Sequence, residues 1–147
     1  MSGNTKEAAQ AIAEGAKSAG AQVTLREGAA AQPKDLLECD AVAVGSYDAF
    51  SYMGGGLKDF FDRAFYPTQG QVTDKPYAAF LTHGGGGKAI QSIESIAQSF
   101  KLKKVAEAVL IQGKPEDKAI AGLKALGAKI AAAAERNRGV TSPHGKT

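Results

Sequence analysis

The sequence contains no tryptophan, and it has only one cysteine and two histidines among its 147 residues. The single cysteine, Cys39, excludes an internal disulfide and favours a reducing, cytoplasmic environment. The histidines and the cysteine lie far apart in the chain, which argues against a metal site. No apolar run approaches the ~20 residues that a membrane-spanning helix needs, and the first residues lack the apolar core of a signal peptide.

The chain also lacks a strong net charge of either sign, because its 18 Lys and Arg residues nearly balance its 15 Asp and Glu residues. The one dense basic run, at residues 101–104, has no aromatic residues between its charges. It therefore predicts a solvated turn rather than a nucleic-acid surface. An apolar fraction of 44% without a tripeptide repeat excludes collagen and intrinsic disorder. We expect one domain over residues 1–135 and a flexible tail over 136–147.

Short apolar runs alternate with longer amphipathic segments along the chain. The runs predict strands at residues 22–25, 41–46, 77–82 and 106–111. Apolar residues spaced three and four apart predict helices over 5–19, 57–65 and 90–100, and a last helix after Pro115. This alternation predicts an α/β fold, with helices on both faces of a parallel sheet. Ligands bind such sheets at the carboxyl ends of the strands, so the loops that follow the strands are the candidate sites.

The first candidate loop is Ser2-Gly3-Asn4-Thr5, which stands at a helix start. Unpaired backbone N–H groups, the helix dipole and two hydroxyls favour a phosphate here. An ordinary helix cap is the alternative interpretation, because Ser, Asn and Thr all cap helices well.

The second candidate loop runs from Ser46 to Gly56, between a buried strand and a helix. It carries Tyr47, Phe50 and Tyr52 together with Met53, followed by three glycines. So many apolar side chains on a loop favour a planar ligand stacked against them. The alternative is that the aromatic side chains only cover the end of the sheet.

The third candidate loop, Thr82 to Lys88, contains four consecutive glycines after His83. Glycines allow a flat or anionic ligand to approach the backbone closely. The loop matches the dinucleotide pattern G-x-G-x-x-A formally, but no acidic residue ends the next strand. It fails as a nucleotide-triphosphate loop, because Thr82 and Ala89 replace the residues that such a loop requires. A lone loop histidine such as His83 is often only solvated, and burial is the expected state of Cys39.

Taken together, the three loops resemble those of the flavodoxin-like FMN proteins, which include flavodoxins and flavodoxin-like NAD(P)H:quinone oxidoreductases. The resemblance covers residues 2–134. It implies a three-layer α/β sandwich with a parallel sheet of order 2-1-3-4-5 and FMN at the carboxyl edge. It also implies that Phe50, Tyr47 or Tyr52 stacks on the flavin in place of the tryptophan that flavodoxins often use.

The resemblance assigns cofactor-binding roles to residues in all three loops. The first loop would hold the phosphate, the second would line the ring and the ribityl chain, and the third would border the pyrimidine side. The residues are Ser2, Gly3, Asn4, Thr5, Ser46, Tyr47, Asp48, Ala49, Phe50, Ser51, Tyr52, Met53, Thr82, His83, Gly84, Gly85 and Gly86.

One departure from the family is that no strand precedes the first loop in this sequence. Three hypotheses account for it: the natural start lies upstream, a partner supplies the strand, or the sheet closes with four strands. We expect the first.

The function implied is electron transfer through FMN, with a redox protein or a small acceptor as partner. A basic environment that includes His83 would raise the reduction potential. The alternatives are NAD(P)H-dependent reduction of quinones or other acceptors by the same fold, and a flavin-free interaction domain. The sequence also leaves open whether the protein forms a homo-oligomer.

Overall fold

The computed structural model describes residues 3–140, and it describes side chains through residue 137. The five helices of this part of the chain are α1 (Gly3–Ser18), α2 (Pro33–Glu38), α3 (Gly55–Thr68), α4 (Ile90–Ser99) and α5 (Asp117–Val140). Its strands are β1 (Val42–Ala49), β2 (Tyr52–Met53), β3 (Pro76–His83), β4 (Lys103–Lys104) and β5 (Val109–Gln112).

Strand β3 forms the centre of the sheet. Its residues from Pro76 to Thr82 are all buried, as expected for a strand covered by helices on both faces. On one side β3 pairs in parallel with β1, from Val42 opposite Tyr77 to Tyr47 opposite Thr82. On its other side it pairs in parallel with β4 and then with β5. Strand β2 adds a short antiparallel hairpin to the end of β1.

The alternation of side chains along β3 divides the core between two helix layers. Ala79 and Leu81 point into the larger cluster, which also contains side chains of α2, α3 and α4. Ala78 and Phe80 point into the cluster formed with α1 and α5. The described residues therefore form the three-layer α/β sandwich that the sequence predicts.

Helices α1 and α5 pack with their backbones in close contact. A Cβ atom on Gly15 would collide with the backbone of Lys124, and one on Gly127 would collide with the backbone of Ile12. These two glycines are therefore required by packing. The contact fixes α1 against the sheet, although no described strand precedes this helix.

The structure differs from the predicted elements at several points. The strand predicted at residues 22–25 is wrong, because this segment belongs to no helix or strand. A strand needs a neighbouring edge, and a cavity separates the segment from β1, the nearest one. The hypothesis that the sheet closes with four strands is wrong for the same reason. Helix α2 was not predicted, and α5 continues to Val140, five residues into the predicted tail. Residues 141–147 lie outside the described part.

Among the described residues, no helix is both long and apolar enough to span a membrane.

Candidate functional site

Three of the chain's loops meet at the carboxyl edge of the sheet. Strands β1 and β3 run in parallel and are neighbours, so the loops that leave them start side by side. The amino end of α1 reaches the same edge through a buried contact between hydroxyls, in which Thr5 Oγ1 and Thr82 Oγ1 lie 2.6 Å apart. The fold thus brings together loops that are 77 positions apart in sequence.

The first loop is the beginning of a helix of 16 residues that starts at Gly3. Gly3 is exposed and Asn4 is half-buried, whereas Thr5 is buried against β3. The first backbone N–H groups of an α-helix have no partner within the helix, so they can donate to an anion at this end. Ser2, the remaining residue predicted here, lies outside the described residues.

The second loop is a tight β-hairpin rather than an irregular loop. Phe50 and Ser51 occupy its turn with φ of 54° and 67°, a left-handed conformation that residues other than glycine rarely adopt. The side chain of Asp48 stabilises the turn, because its Oδ1 accepts a hydrogen bond from the Ser51 N–H at 2.7 Å. The turn leaves the Phe50 side chain fully exposed at the edge of the sheet.

The hairpin is tied to the first turn of α4. Asp48 Oδ2 accepts a hydrogen bond from the Ala89 N–H at 3.2 Å, so this carboxylate bridges the second and third loops. The Met53 N–H donates to Ser92 Oγ at 3.1 Å, and this hydroxyl in turn donates to the Ala89 carbonyl. Behind the hairpin, Ser46 Oγ accepts a hydrogen bond from the Gly54 N–H at 2.6 Å. The second loop is therefore held on two sides.

The remaining predicted side chains of the second loop differ in exposure. Tyr47 and Tyr52 are 38% and 41% exposed, so part of each side chain is accessible, as is that of Phe50. Ala49 is half-buried, and Met53 is buried in the core below the hairpin. We therefore assign the three aromatic residues to the surface of the candidate site and Met53 to its floor.

The third loop begins at His83, whose carbonyl accepts a hydrogen bond from the Gly113 N–H at 2.9 Å. The Nδ1 atom of His83 is buried without a hydrogen-bond partner among the described residues. Next in the loop, a Cβ atom on Gly84 or Gly86 would meet no atom within 4 Å, and neither residue has a positive φ. The fold itself therefore does not require glycine at these two positions. A ligand that approaches the backbone closely would require it.

Two contributors to this edge were not found from the sequence. Leu110 of β5 is 45% exposed and lies against Gly87, and Gln112 Nε2 donates to the Gly84 carbonyl at 3.4 Å. The only available signal was their position at the end of a predicted strand. Among the described residues, no group of three or more His, Cys, Asp or Glu side chains could hold a metal ion.

Cys39 lies outside this site, in the segment that precedes β1. Its thiol donates a hydrogen bond to the Leu36 carbonyl at 3.4 Å, and burial raises its pKa to about 11. Burial also lowers the pKa of the neighbouring Lys75, whose ammonium donates to the carbonyls of Leu36 and Leu37. A protonated thiol is a poor nucleophile, so the structure supports a packing role for Cys39.

The chain is similar in sequence to known proteins. The flavodoxin family model matches residues 1–130. A flavodoxin of Aquifex aeolicus is 37% identical over 86 residues, which are 58% of this chain and 46% of that protein. The match thus spans about half the length of this relative.

Solved structures show the same fold. A flavodoxin from the domain Archaea has a TM-score of 0.82 and 28% identity, and the alignment covers 92% of this chain and 93% of that one. The rubredoxin oxygen:oxidoreductase of Desulfovibrio gigas also has a TM-score of 0.82, at 20% identity. That alignment covers 93% of this chain and 34% of the enzyme chain, and it shows the fold alone. The family match over most of the sequence decides the assignment: this chain belongs to the flavodoxin family.

Proposed function

We propose that this protein binds FMN at the carboxyl edge of its sheet and carries electrons between redox partners. The observation that carries the proposal is the convergence of the three loops in a chain of the flavodoxin family. The whole protein's partners are part of the proposal, since the curated relative is matched over about half its length.

The amino end of α1 is the proposed phosphate site. Its N–H groups and the positive end of the helix dipole favour an anion. Gly3 supports this role because a Cβ atom there would meet nothing within 4 Å, so the approach to the backbone is open. The buried hydroxyl pair of Thr5 and Thr82 fixes the helix start relative to β3, and thereby the phosphate relative to the ring. We propose that Ser2 and Asn4 add polar contacts.

The second and third loops are the proposed ring site. Tyr47, Phe50 and Tyr52 supply exposed aromatic surface, which stacks favourably on a planar ring at offset or edge geometry. Across the edge, Gly84 and Gly86 offer backbone groups with open space in front of them. The buried Nδ1 of His83 has no hydrogen-bond partner among the described residues, so it is a polar atom that a ligand can satisfy.

FMN, when bound, would supply the redox chemistry, so the protein needs to bind it, orient it and set its potential. No side chain has to act as an acid or base for outer-sphere electron transfer. His83 and the exposed Lys88 lie in the third loop, where positive charge would stabilise an anionic reduced ring. We therefore expect His83→Ala to lower the midpoint potential of bound FMN. If His83→Ala leaves the midpoint potential of bound FMN unchanged, His83 does not have this role.

The proposal is tested by titrating the protein with FMN and with riboflavin while flavin fluorescence is recorded. We expect FMN to bind with quenched fluorescence, since aromatic side chains would contact the ring. Riboflavin lacks the phosphate, so it should bind at least tenfold more weakly if the end of α1 holds that group. Equal affinities would refute the phosphate assignment, and absence of binding by either flavin would favour an interaction domain without flavin.

A second experiment separates the carrier from an NAD(P)H-dependent enzyme of the same fold. Under anaerobic conditions, NADPH or NADH is mixed with the FMN-loaded protein and the visible absorbance is followed. A carrier should keep its absorbance until a reductase protein is added. Rapid bleaching by NAD(P)H alone would favour the enzyme. The cytoplasmic location and the homo-oligomer remain predictions.

A further inference from the structure

The hairpin of the second loop is too short to hold its own conformation. Its strands pair at two positions, Asp48 with Met53 and Ala49 with Tyr52. A two-stranded hairpin is marginally stable in water even when it is longer. Its turn also includes Phe50 in a left-handed conformation, which residues other than glycine rarely adopt. The conformation of the hairpin therefore depends on contacts with the rest of the protein.

Ala89, the residue in front of α4, is linked to both strands of the hairpin. Its N–H donates to Asp48 Oδ2 of the first strand at 3.2 Å. Its carbonyl accepts a hydrogen bond from Ser92 Oγ at 2.7 Å, and the same Oγ accepts one from the Met53 N–H of the second strand at 3.1 Å. A hydroxyl has one proton to donate and lone pairs that accept, so Ser92 makes both contacts at once.

The two links reach the hairpin at the same level. Asp48 and Met53 lie opposite each other in the register of β1 and β2. A carboxylate therefore holds one strand and a hydroxyl holds the other. One contact alone would allow the hairpin to rotate about it, whereas contacts on both strands fix its direction. The turn that carries Phe50 follows directly, so its direction is set by the beginning of α4.

The N–H group of Met53 depends on the Ser92 hydroxyl because Met53 is only 3% exposed. A buried N–H that loses its acceptor bears the full cost of its desolvation. The next N–H, that of Gly54, donates to Ser46 Oγ at 2.6 Å. Serine hydroxyls from two different elements thus accept two consecutive N–H groups. Loss of the Ser92 hydroxyl favours arrangements in which the second strand moves and its N–H reaches water.

An ordinary helix contact does not account for Ser92. Serine in a helix commonly donates to a carbonyl of the preceding turn. Ser99 of the same helix shows this alone, since its hydroxyl donates to the Ser95 carbonyl at 3.3 Å. Ser92 makes such a local bond and also accepts the N–H of a residue 39 positions away. The second contact joins two loops of the candidate site.

We propose that Ser92 is a positioning residue for the ring site. Its hydroxyl holds the second strand of the hairpin against α4, and it thereby sets the direction of the Phe50 and Tyr52 side chains. This inference rests on the proposed function, because it concerns the same flavin. Ser92 acts through Met53 and does not need to touch the ligand.

The expected effect follows from the time that the hairpin spends in its binding arrangement. In Ser92→Ala that fraction is smaller, and the apparent affinity falls in proportion to it. We expect FMN affinity to fall about tenfold, as for the loss of one acceptor from a buried N–H. Riboflavin affinity should fall by the same factor, since the hairpin contacts the ring and not the phosphate. Ser92→Thr keeps the hydroxyl and should bind FMN as the original protein does.

The experiment compares these variants with Ser99→Ala, in fluorescence titrations with FMN and with riboflavin. Ser99→Ala is the matched control, because it removes a hydroxyl from an exposed residue of the same helix. It should leave both affinities unchanged. Amide hydrogen exchange without flavin supplies a second readout. Ser92→Ala should accelerate exchange at Met53 more than at Ala79 in the core of β3, whereas a general loss of stability would accelerate both equally.

Equal FMN affinity in Ser92→Ala and Ser99→Ala would overturn the inference and leave the proposed function in place. A loss of affinity for FMN but not for riboflavin would also overturn it, because the effect would then arise at the phosphate. If the original protein binds neither flavin, the proposed function fails and this inference fails with it. If Ser92→Ala does not fold, Ser92→Cys replaces it with the same expectations, since a thiol is only a weak acceptor.

Discussion

The hydroxyl oxygens of Thr5 and Thr82 lie 2.6 Å apart in the interior of the protein, and both residues are only 3% exposed. Thr5 belongs to the first turns of α1 and Thr82 to the end of β3. The contact therefore joins the proposed phosphate site to the loop proposed to border the ring. It fixes the distance between two parts of the proposed ligand site, which are far apart in the sequence.

Thr82→Val should lower the free energy of unfolding by about 1 kcal/mol, the usual net value of a hydrogen bond between neutral groups. The substitution keeps the shape of the side chain and removes the contact with Thr5. Denaturant unfolding of both single variants and of the double variant Thr5→Val/Thr82→Val measures the coupling. We expect a coupling of roughly 0.5–1.5 kcal/mol. Additive effects would show that the two hydroxyls do not interact.

Asp48→Ala should weaken FMN binding about tenfold, which corresponds to about 1.4 kcal/mol. The carboxylate accepts hydrogen bonds from Ser51 and Ala89, so its loss releases the hairpin from α4. Fluorescence titration with FMN measures the change. The matched control is Asp62→Ala, which removes an exposed carboxylate that pairs with Lys58 on α3. Equal affinities for the two variants would contradict a positioning role for Asp48.

Phe50→Ala should reduce FMN affinity about threefold to tenfold and restore part of the flavin fluorescence, because ring stacking contributes roughly 0.5–1.5 kcal/mol. The free energy of unfolding should change by less than about 0.5 kcal/mol, since the side chain is fully exposed. Alanine is preferred to glycine here because glycine would also relieve the φ of 54°. Tyr66→Ala, on an exposed residue of α3, is the control and should leave FMN affinity unchanged. If Phe50→Ala quenches FMN fluorescence as strongly as the original protein does, Tyr47 or Tyr52 has the stacking role instead.

The protein should lose stability between pH 9 and pH 11 through Cys39. The folded state raises the pKa of this thiol from 9.0 to about 11 by burial, so it retains a proton that the unfolded chain releases. The contribution is fully present below pH 9 and is lost as the pH rises through 11. Between these pH values, we expect the free energy of unfolding to fall by about 1–3 kcal/mol relative to that of Cys39→Ala. Burial lowers the pKa of Lys75, so this residue makes a contribution of opposite sign in both proteins.

Denaturant unfolding of the two proteins at several pH values measures this difference. Parallel curves for the original protein and Cys39→Ala would show that burial does not hold the thiol proton. Alkylation gives a second readout, because the folded thiol should react slowly at pH 9 and the unfolded thiol rapidly.

The sequence predicted strands best where helices bury both faces of the sheet. The apolar runs that became β1 and β3 were identifiable because helices cover both faces, so no alternation with polar residues interrupts them. Residues 22–25 carry a similar signal, yet strand formation depends on a neighbour that the local sequence does not encode. Helix α2 has six residues, too few to show a helical period.

The candidate site was predictable as a set of loops but not as a geometry. Gly-rich and aromatic segments after strands indicated which loops to consider. The hairpin turn at Phe50 and Ser51 lacks the glycine or asparagine that usually marks such turns, so its left-handed conformation was not foreseeable. The bridge from Asp48 to Ala89 spans 41 positions and depends on how α4 packs.

An FMN titration followed by the amide chemical shifts of the isotope-labelled protein tests FMN binding by the three loops most directly. We expect saturable shifts that are largest at residues 3–5, 46–53 and 82–86, the three loops at the carboxyl edge of the sheet. Shifts confined to the cavity between β1 and residues 21–28, or no saturable shifts at all, would contradict it.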